Sequence, residues 1–318
     1  MVKNFRRSYI TIGLIGFGNI GRKRLLALKK INNIPFKIIY ILDKRIKNNK
    51  GYYYNSIDDI RSKKVDFLIV CLPTNQVLKV LNKIKFNYNH LLLEKPGFEN
   101  INIFKKFVSN LNKKKIYINI GYNLRFDNGI VKAKKIFKNG KIGKLYSVKI
   151  NYSNGTAKSN SNKVGSLLDI GSHSINLVQW LLNSFKLGIK SKLIQKNEFM
   201  NKKKDDNGYI ITRLKHVIIF LHFGFCTWKN TFELELTGSK GFLKVISLPK
   251  WNEGQKVIYG KRIFPSGEPL VKEWVFRKDN SFKNELQFLL KNFKKNSIFN
   301  KKLNYNELAT YKELVSIK

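Results

Sequence analysis

The stretch that decides the fold is residues 9–31, which read YITIGLIGFGNIGRKRLLALKKI. A short apolar run, Ile10–Ile15, comes first and predicts a β-strand. Gly16, Gly18 and Gly21 follow with the spacing GxGxxG, and a segment with helical periodicity comes next. Strand, glycine turn and helix is the order in which a dinucleotide-binding unit begins.

Each glycine has its own task in such a turn. Gly16 permits the tight turn out of the strand, Gly18 lets the backbone approach a pyrophosphate, and Gly21 lets the helix pack closely on the strand. The free N–H groups at the start of the helix then face the phosphates. The helix is expected to bury Leu25, Leu26, Leu28 and Ile31 and to expose Arg22, Lys23, Arg24, Lys29 and Lys30.

A second apolar run, Lys37–Leu42, ends at an acidic residue, Asp43. An acid about 20 residues beyond the glycines is where a ribose 2′-hydroxyl binds, although Asp43 can also be read as a simple loop cap. Asp43 favours NAD because it repels a 2′-phosphate, whereas the adjacent Lys44 and Arg45 can bind that phosphate. The sequence therefore favours NAD and leaves NADP open.

Near-continuous apolar strands alternate with helical segments as far as Gly121, which is typical of a parallel sheet covered on both faces. Beyond Gly121 the apolar residues alternate with polar ones, which is typical of antiparallel strands. We expect an α/β fold with a Rossmann parallel sheet in a dinucleotide-binding domain at residues 1–121. A second, α+β domain with an antiparallel sheet is expected at residues 122–318. The predicted C-terminal helices, residues 282–293 and 305–315, are candidates for packing against the first domain.

The formal net charge of +42 has two competing explanations. One is a polyanionic partner such as nucleic acid, and the other is a composition rich in Lys, Asn and Ile, which suits an AT-rich genome. The basic residues are spread along the chain, as at residues 113–115 and 294–295, and do not form one arm. We expect no specific nucleic-acid partner. We also expect no membrane segment and a cytoplasmic location, because no apolar stretch is long enough to span a bilayer.

Glu94-Lys95-Pro96 follows a buried strand. An ammonium at the carboxyl end of that strand can donate to a substrate hydroxyl and stabilise a developing alkoxide. The alternative is that Lys95 is one solvated lysine among many. The Lys95–Pro96 bond is a candidate cis peptide.

Asp169 and His173 are four residues apart on a predicted helix, Leu167–Leu182, and share one face with Asn176. A histidine with a nearby carboxylate can act as a general base with an orienting partner. The alternatives are an ordinary surface pair or part of a metal site. We expect no metal, because the other histidines, at positions 90, 216 and 222, lie in strand-like runs.

Ordered motifs through most of the chain resemble the Gfo/Idh/MocA oxidoreductase family, which includes inositol and glucose–fructose oxidoreductases. The motifs are Gly16-Phe17-Gly18-Asn19-Ile20-Gly21, Glu94-Lys95-Pro96, Gly121-Tyr122-Asn123-Leu124-Arg125-Phe126, Leu168-Asp169-Ile170-Gly171-Ser172-His173 and Glu235-Leu236-Thr237-Gly238-Ser239-Lys240-Gly241. By this resemblance Lys95 matches the catalytic lysine, His173 the acid/base, and Asp169 the acid that contacts substrate hydroxyls. Where many members carry Asp, this chain has Asn176. The resemblance also implies that residues 122–318 are a substrate-binding and oligomerisation domain with an open, mostly antiparallel sheet. The expected homo-oligomer forms through that sheet.

These inferences give a full set of expected site residues. Cofactor contacts are expected at Gly16, Phe17, Gly18, Asn19, Ile20, Gly21, Asp43, Lys44, Arg45, Leu72, Pro73, Thr74, Glu94 and Lys95. Substrate contacts are expected at Lys95, Tyr122, Arg125, Asp169, His173 and Asn176. The loop at residues 153–163 is a candidate for reaching over the site.

The function expected from the resemblance is an NAD(P)-dependent oxidoreductase that transfers a hydride between nicotinamide and a hydroxyl or carbonyl carbon. The expected substrate is a sugar, polyol or sugar derivative, with a nucleotide sugar as one candidate. The alternative is a catalytically silent dinucleotide-binding protein with a basic surface that binds polyanions.

Overall fold

The computed structural model describes residues 9–47, 49–98, 100–155, 164–189, 191–197, 203–251, 253–265, 267–295 and 300–316. The chain forms two compact units. The first contains the chain up to Gly121 together with Phe282–Leu308, and the second contains Tyr122–Ser281 and the chain from Ala309 onwards.

The elements follow one another along the described residues. The strands are β1 (Ile10–Ile15), β2 (Phe36–Leu42), β3 (Tyr53–Tyr54), β4 (Val65–Val70), β5 (Tyr88–Glu94), β6 (Tyr117–Gly121), β7 (Leu145–Ser153), β8 (Leu193–Gln195), β9 (Asn207–Leu214), β10 (Val217–Gly224), β11 (Thr231–Gly238), β12 (Gly241–Ile246), β13 (Gln255–Lys261) and β14 (Leu270–Phe276). The helices are α1 (Asn19–Lys29), α2 (Thr74–Lys83), α3 (Ile101–Lys113), α4 (Asn128–Lys138), α5 (Ser172–Leu182), α6 (Ser281–Lys295), α7 (Lys301–Glu307) and α8 (Ala309–Ser316).

The sheet of the first unit is parallel throughout, with the strand order β3-β2-β1-β4-β5-β6. Its central strands are fully buried, as at Ile12, Phe67 and Leu92, because helices cover both faces. The order reverses between β1 and β4, and ligands bind outside the carboxyl ends of the strands at such a switch point. The predicted Rossmann sheet is confirmed.

The edge strand β6 is covered by side chains from helix α7, late in the sequence. The N–H of Ile118 donates to Oδ1 of Asn304 at 3.0 Å, and the N–H of Ile120 donates to Oε2 of Glu307 at 2.8 Å. These bonds satisfy backbone donors that an edge strand otherwise leaves open.

Helix α1 differs from the prediction in which side chains it buries. Leu25 and Leu28 are buried as expected, but Leu26 is 58% exposed and Arg24 is completely buried. The prediction that Arg24 faces solvent was wrong, because its side chain binds Glu94 and, on α6, Glu285. A buried charge requires such partners.

The sheet of the second unit has the order β14-β13-β12-β11-β7-β10-β9-β8. Its pairs are antiparallel except for β7 with β10, which is parallel. The predicted open, mostly antiparallel sheet is therefore confirmed. Strands β8, β13 and β14 were absent from the prediction. The core includes Ile150 and Leu234 from the sheet and Val178 from α5.

Two helical segments differ from their expected form. The helix predicted from Leu167 begins as a π turn, Leu167–Gly171, and becomes α-helical at Ser172. The helix predicted over residues 305–315 is two helices, α7 and α8, because Leu308 separates them.

Candidate functional site

The glycine turn after β1 accepts no larger residue at two of its positions. Gly16 has φ +90°, and a Cβ there would lie 2.4 Å from the carbonyl oxygen of Cys71. A Cβ on Gly21 would lie 1.9 Å from the carbonyl oxygen of Gly16. Gly18 differs, because the nearest atom to its Cβ position is Nη2 of Arg45 at 3.3 Å. The turn thus places the start of α1 against the carboxyl end of β1.

Asp43 accepts hydrogen bonds from both sides of this turn. Its Oδ2 accepts from the N–H of Phe17 at 2.6 Å. Arg45 donates its backbone N–H and Nε to Oδ1 at 2.9 and 2.8 Å and its Nη2 to Oδ2 at 2.7 Å. The Arg45 hydrogen bonds hold the pKa of the Asp43 carboxyl well below its usual range, so the carboxylate is ionised at neutral pH.

A cavity of about 780 Å³ lies along the carboxyl ends of β1, β2 and β4. Among the residues predicted to contact a cofactor, Gly16, Gly18, Asp43, Lys44, Arg45, Leu72 and Pro73 line it. The position is the one where a dinucleotide is bound in such sheets. Phe17, Asn19, Ile20, Gly21, Thr74, Glu94 and Lys95 are outside this lining, and cofactor contacts at these residues stay predictions.

Part of the cavity wall was missed by the sequence prediction. Gln76, Lys79, Val80 and Lys83 line it from α2. Their spacing of three, four and seven residues places them on one helix face, a signal that was available in the sequence. Asn55, Ser56, Ile57 and Asp58 line it from the loop after β3, where no periodicity marks them.

Glu94 and Lys95 lie at the carboxyl end of β5 in the first unit. Glu94 accepts from Nε of Arg24 at 2.6 Å, so at least part of its carboxylate serves an internal ion pair. Lys95 is half-buried and is joined to Pro96 by a cis peptide bond, as the sequence suggested.

His173 lies near the start of α5 in the second unit and is 8% exposed. Its ring meets that of Tyr122 edge-on, with centroids 5.8 Å apart, and lies 6.2 Å from that of Tyr152. Asp169 lies one turn earlier, on the π turn, and is half-exposed. The structure thus places the predicted acid/base in an aromatic setting.

Asp205 holds the start of this helical segment. Its Oδ2 accepts from Oγ of Ser166 at 2.8 Å and from the N–H of Leu167 at 2.6 Å. A Cβ on Gly165 would lie 1.9 Å from Oδ1 of Asp205. A carboxylate that caps a helix start in this way fixes the turn that carries Asp169.

The remaining predicted substrate residues have different surroundings within the second unit. Tyr122 is 2% exposed. Arg125 is half-buried, with its guanidinium 6.0 Å from the Tyr122 ring and 5.7 Å from the Phe126 ring. The amide of Asn176 donates to Oγ1 of Thr310 at 2.9 Å, so it joins α5 to α8. Substrate contacts at these positions stay predictions.

The loop predicted to reach over the site lies mainly outside the described residues, which stop at residue 155 and resume at 164. Within the described ranges, no three side chains of the His, Cys, Asp and Glu types are grouped as metal ligands. His216, expected in a strand, is exposed in the turn between β9 and β10. None of the helices in the described ranges has the length and apolarity to cross a membrane. The cytoplasmic location stays a prediction.

Two family models match the chain. The model described as the oxidoreductase family with an NAD-binding Rossmann fold matches residues 10–122. The model of the GFO/IDH/MocA C-terminal domain matches residues 130–244. Together these matches run through both units.

Curated relatives are similar over part of their length. Glucose-6-phosphate 3-dehydrogenase of Bacillus subtilis (strain 168) is 28% identical over 196 residues, which cover 54% of this chain and 54% of that protein. Inositol 2-dehydrogenase of Rhizobium meliloti (strain 1021) is 24% identical over 151 residues, 44% of each chain. The chain thus matches about half the length of these relatives.

Solved structures share the fold over nearly the whole chain. A 3-ketoreductase from Actinomadura kijaniata, in complex with NADP and TDP-benzene, superposes with a TM-score of 0.79 at 16% identity and covers 97% of both chains. The scyllo-inositol dehydrogenase of Lactobacillus casei gives a TM-score of 0.72 at 18% identity, covering 98% of this chain and 95% of that one.

Proposed function

Because the chain belongs to the GFO/IDH/MocA family, we propose that it is an NAD(P)-dependent oxidoreductase acting on a sugar, polyol or sugar derivative. In this reaction a hydride moves between nicotinamide and a hydroxyl-bearing or carbonyl carbon. The observation that carries the proposal is the cavity at the sheet's switch point, which brings together Gly16, Gly18 and Asp43. A tight glycine turn in which Gly16 has no room for Cβ, with Gly18 and an ionised carboxylate beside it, supplies the elements that a dinucleotide requires there.

The cofactor, when bound, supplies the hydride acceptor or donor. The N–H groups at the start of α1 would bind its pyrophosphate, and Asp43 would accept from a ribose hydroxyl. On this basis NAD is the proposed cofactor, with NADP as the alternative that Lys44 and Arg45 favour. Structures with this fold are known in complex with NADP and with NAD+, so the fold alone does not choose between the two cofactors.

The catalytic roles rest on the resemblance and on chemistry. Lys95, as an ammonium, donates to the reacting oxygen and stabilises negative charge that develops on it. His173 exchanges the proton of the substrate hydroxyl as a general acid or base. Asp169 contacts substrate hydroxyls or orients His173.

The proposed substrate class follows from what the relatives act on. Glucose 6-phosphate and inositol are polyhydroxylated rings, and a ketoreductase that binds a TDP compound shares the fold. A phosphorylated or nucleotide-linked sugar also suits a chain with a formal net charge of +42.

We also propose that the chain forms a homo-oligomer through the sheet of its second unit. Exposed apolar side chains on β9 and β10, including Ile211 and Ile218, lie on the face of the sheet opposite the core. Exposed apolar patches of this kind mark association surfaces. Light scattering with chromatography measures the oligomeric state, and a monomer at micromolar concentration contradicts this part of the proposal.

The second candidate, a silent dinucleotide-binding protein with a polyanion-binding surface, rests on the charge alone. Counterion-driven binding weakens steeply with salt, whereas binding in the Rossmann cavity depends on salt much less. We therefore expect saturable NADH binding at both moderate and high salt. Nicotinamide fluorescence measures this binding. Binding of neither NADH nor NADPH at high salt would remove the basis of the oxidoreductase proposal.

The catalytic part of the proposal is tested with Lys95→Met. With a sugar substrate found by screening, we expect kcat to fall by about 100-fold or more while the Kd for NADH stays within about twofold. Lys113→Met, which removes the same charge from an exposed position, is the control. Undiminished turnover in Lys95→Met would contradict the assignment.

A further inference from the structure

The carboxylate of Asp43 has no acceptor position left for a ribose. A carboxylate offers about four lone-pair positions, two on each oxygen. Oδ1 accepts from the backbone N–H and Nε of Arg45, and Oδ2 accepts from the N–H of Phe17 and Nη2 of Arg45. A ribose hydroxyl can therefore donate to Asp43 only after one of these donors leaves.

The guanidinium of Arg45 is the donor that can leave. Its side chain is 66% exposed, whereas the two backbone N–H groups belong to the glycine turn and to the loop after β2. When the guanidinium leaves, one position opens on each oxygen, and the backbone donors still orient the carboxylate. Two adjacent open positions suit the two hydroxyls of a ribose 2′,3′-diol.

The same guanidinium also covers the glycine that admits the pyrophosphate. Nη2 of Arg45 lies 3.3 Å from the Cβ position of Gly18. In this arrangement Arg45 overlies two of the elements that the proposed function assigns to the cofactor, the Asp43 carboxylate and the backbone of Gly18. Both contacts lie within the cavity.

We propose that Arg45 is an internal competitor for the ribose of the cofactor and thereby sets the choice between NAD and NADP. Its guanidinium fork fills the positions of the ribose diol on Asp43 and must swing away before either cofactor binds. NADP compensates for the broken pair, because its 2′-phosphate binds the released guanidinium, and NAD does not. This inference rests on the proposed function and assigns the cofactor specificity of the same site.

The competition persists across the neutral range. The hydrogen bonds from Arg45 hold the pKa of Asp43 well below its usual range, and the same pair raises the pKa of Arg45. Both partners therefore stay charged at any pH at which the protein is assayed, and no proton uptake removes the pair.

Two simpler roles for Arg45 predict different outcomes. If Arg45 only binds phosphate groups, its loss weakens the binding of both cofactors or of NADPH alone. If it only orients Asp43, its loss weakens both. An internal competitor alone gives effects of opposite sign, with NADH binding more tightly and NADPH less tightly when the guanidinium is removed.

The experiment compares wild type with Arg45→Ala, Arg45→Lys and the control Lys47→Ala. Lys47 is exposed and close in sequence, so its loss changes the net charge equally without touching Asp43. Kd values for NADH and NADPH are measured by nicotinamide fluorescence at about 0.5 M salt, where non-specific attraction to the basic surface is screened. Circular dichroism and thermal unfolding show whether each variant is folded.

In Arg45→Ala, we expect the Kd for NADH to fall about three- to fivefold, the upper part of the effect of an exposed ion pair, and the Kd for NADPH to rise about tenfold or more. Arg45→Lys keeps the charge but loses the fork, so we expect NADH to bind more tightly and NADPH to lose less than in Arg45→Ala. Lys47→Ala should leave the ratio of the two Kd values unchanged.

The failures of the two proposals are distinguishable. If wild type binds NADH or NADPH and Arg45→Ala leaves both Kd values unchanged or raises both, the competitor role is wrong and the oxidoreductase proposal stands. If neither wild type nor Arg45→Ala binds either cofactor at this salt, both proposals fail. If only Arg45→Ala binds NADH, the competitor role is supported in its strongest form.

Discussion

Nε and Nη2 of Arg24 both lie 2.6 Å from Oε1 of Glu94. Arg24 follows the glycine turn and Glu94 immediately precedes Lys95, so one ion pair joins the two sequence motifs of the first unit. Nη1 of Arg24 binds Glu285, and the ring of Phe282 lies 4.6 Å from its guanidinium. The Arg24 side chain that makes these contacts has no solvent exposure.

Replacing Arg24 by Met should destabilise the first unit by about 3–5 kcal/mol, because it leaves two carboxylates without their buried partner. Denaturant unfolding measures the loss. Lys23→Met, at an exposed position next to it, should change the free energy of unfolding by less than about 0.5 kcal/mol.

The triple variant Arg24→Met/Glu94→Gln/Glu285→Gln provides a second check. Since no buried charge is then left without a partner, it should be less destabilised than Arg24→Met alone. Equal or greater loss in the triple variant would show that shape, and not charge, governs this cluster.

The glycine turn should separate folding from cofactor binding. Gly21→Ala would bring Cβ to 1.9 Å from a backbone oxygen, so we expect loss of stability and of NADH binding together. In Gly18→Ala the new Cβ lies 3.3 Å from Nη2 of Arg45, the end of a flexible side chain, so we expect the same thermal unfolding temperature as in wild type. We expect this variant to bind NADH at least tenfold more weakly. Unchanged NADH affinity in folded Gly18→Ala would argue against a pyrophosphate at that position.

His90 should make the first unit sensitive to acid. It stacks on Phe67 with centroids 4.6 Å apart, and its Nε2 lies 2.7 Å from Oδ1 of Asn119. Burial lowers the pKa of His90 to about 4, whereas a histidine in an unfolded chain titrates near 6.5. The unfolded chain therefore binds the proton more readily, and stability present above pH 6.5 is lost as the pH falls towards 4.

Between pH 7.5 and 5 the loss from His90 should be about 2 kcal/mol. We expect His90→Gln to remove this part of the pH dependence, measured as the difference between variant and wild type in urea unfolding. His216→Gln, at an exposed histidine, should leave the dependence as in wild type. A parallel pH dependence in wild type and His90→Gln would contradict the prediction.

Asp127 should have the opposite effect on the pH dependence of stability, in the second unit. Its buried carboxylate caps α4, accepting from the N–H groups of Gly129 and Ile130 at 3.1 and 3.3 Å. Burial raises the pKa of Asp127 to about 6, against about 3.9 in an unfolded chain. The folded state thus holds this proton more tightly, and the stability it contributes below pH 4 is lost as the pH rises through 6.

Asp127→Asn keeps an oxygen for the cap and removes the charge. Relative to wild type it should gain about 2 kcal/mol of stability on going from pH 4 to pH 7. Glu253→Gln, at an exposed acid of the same unit, is the matched control. A variant that loses stability relative to wild type at pH 7 would show that the ionised cap is favourable.

The sequence was most informative where a local rule governs both structure and chemistry. Gly16, Gly18 and Asp43, which the sequence assigns to one cofactor site, line one cavity in the structure, because backbone space and strand ends are encoded within a short stretch. The buried parallel strands were predictable for the same reason, since their apolar runs are continuous.

Features that depend on distant partners were not predictable. Arg24 carries the pattern of a solvent-facing residue, and its burial is favourable because of two carboxylates far along the chain, Glu94 and Glu285. Strand β14 has mostly exposed side chains, so no apolar alternation marks it. The occupation of Asp43 by Arg45 depends on side-chain geometry, and the adjacency of the two residues in sequence does not reveal it.

The first unit is built from two separated parts of the chain, and this has a consequence for its synthesis. Glu285, Asn304 and Glu307 leave the ribosome only after residues 122–281, the larger part of the second unit, have been made. Until then Arg24 lacks one of its carboxylates, and β6 presents unprotected backbone donors to neighbouring nascent chains. Domains usually complete their folding in the order of translation. Here synthesis of the nucleotide-binding unit begins first, but its folding is completed late. The nascent chain therefore most needs chaperones before residue 308 has been made.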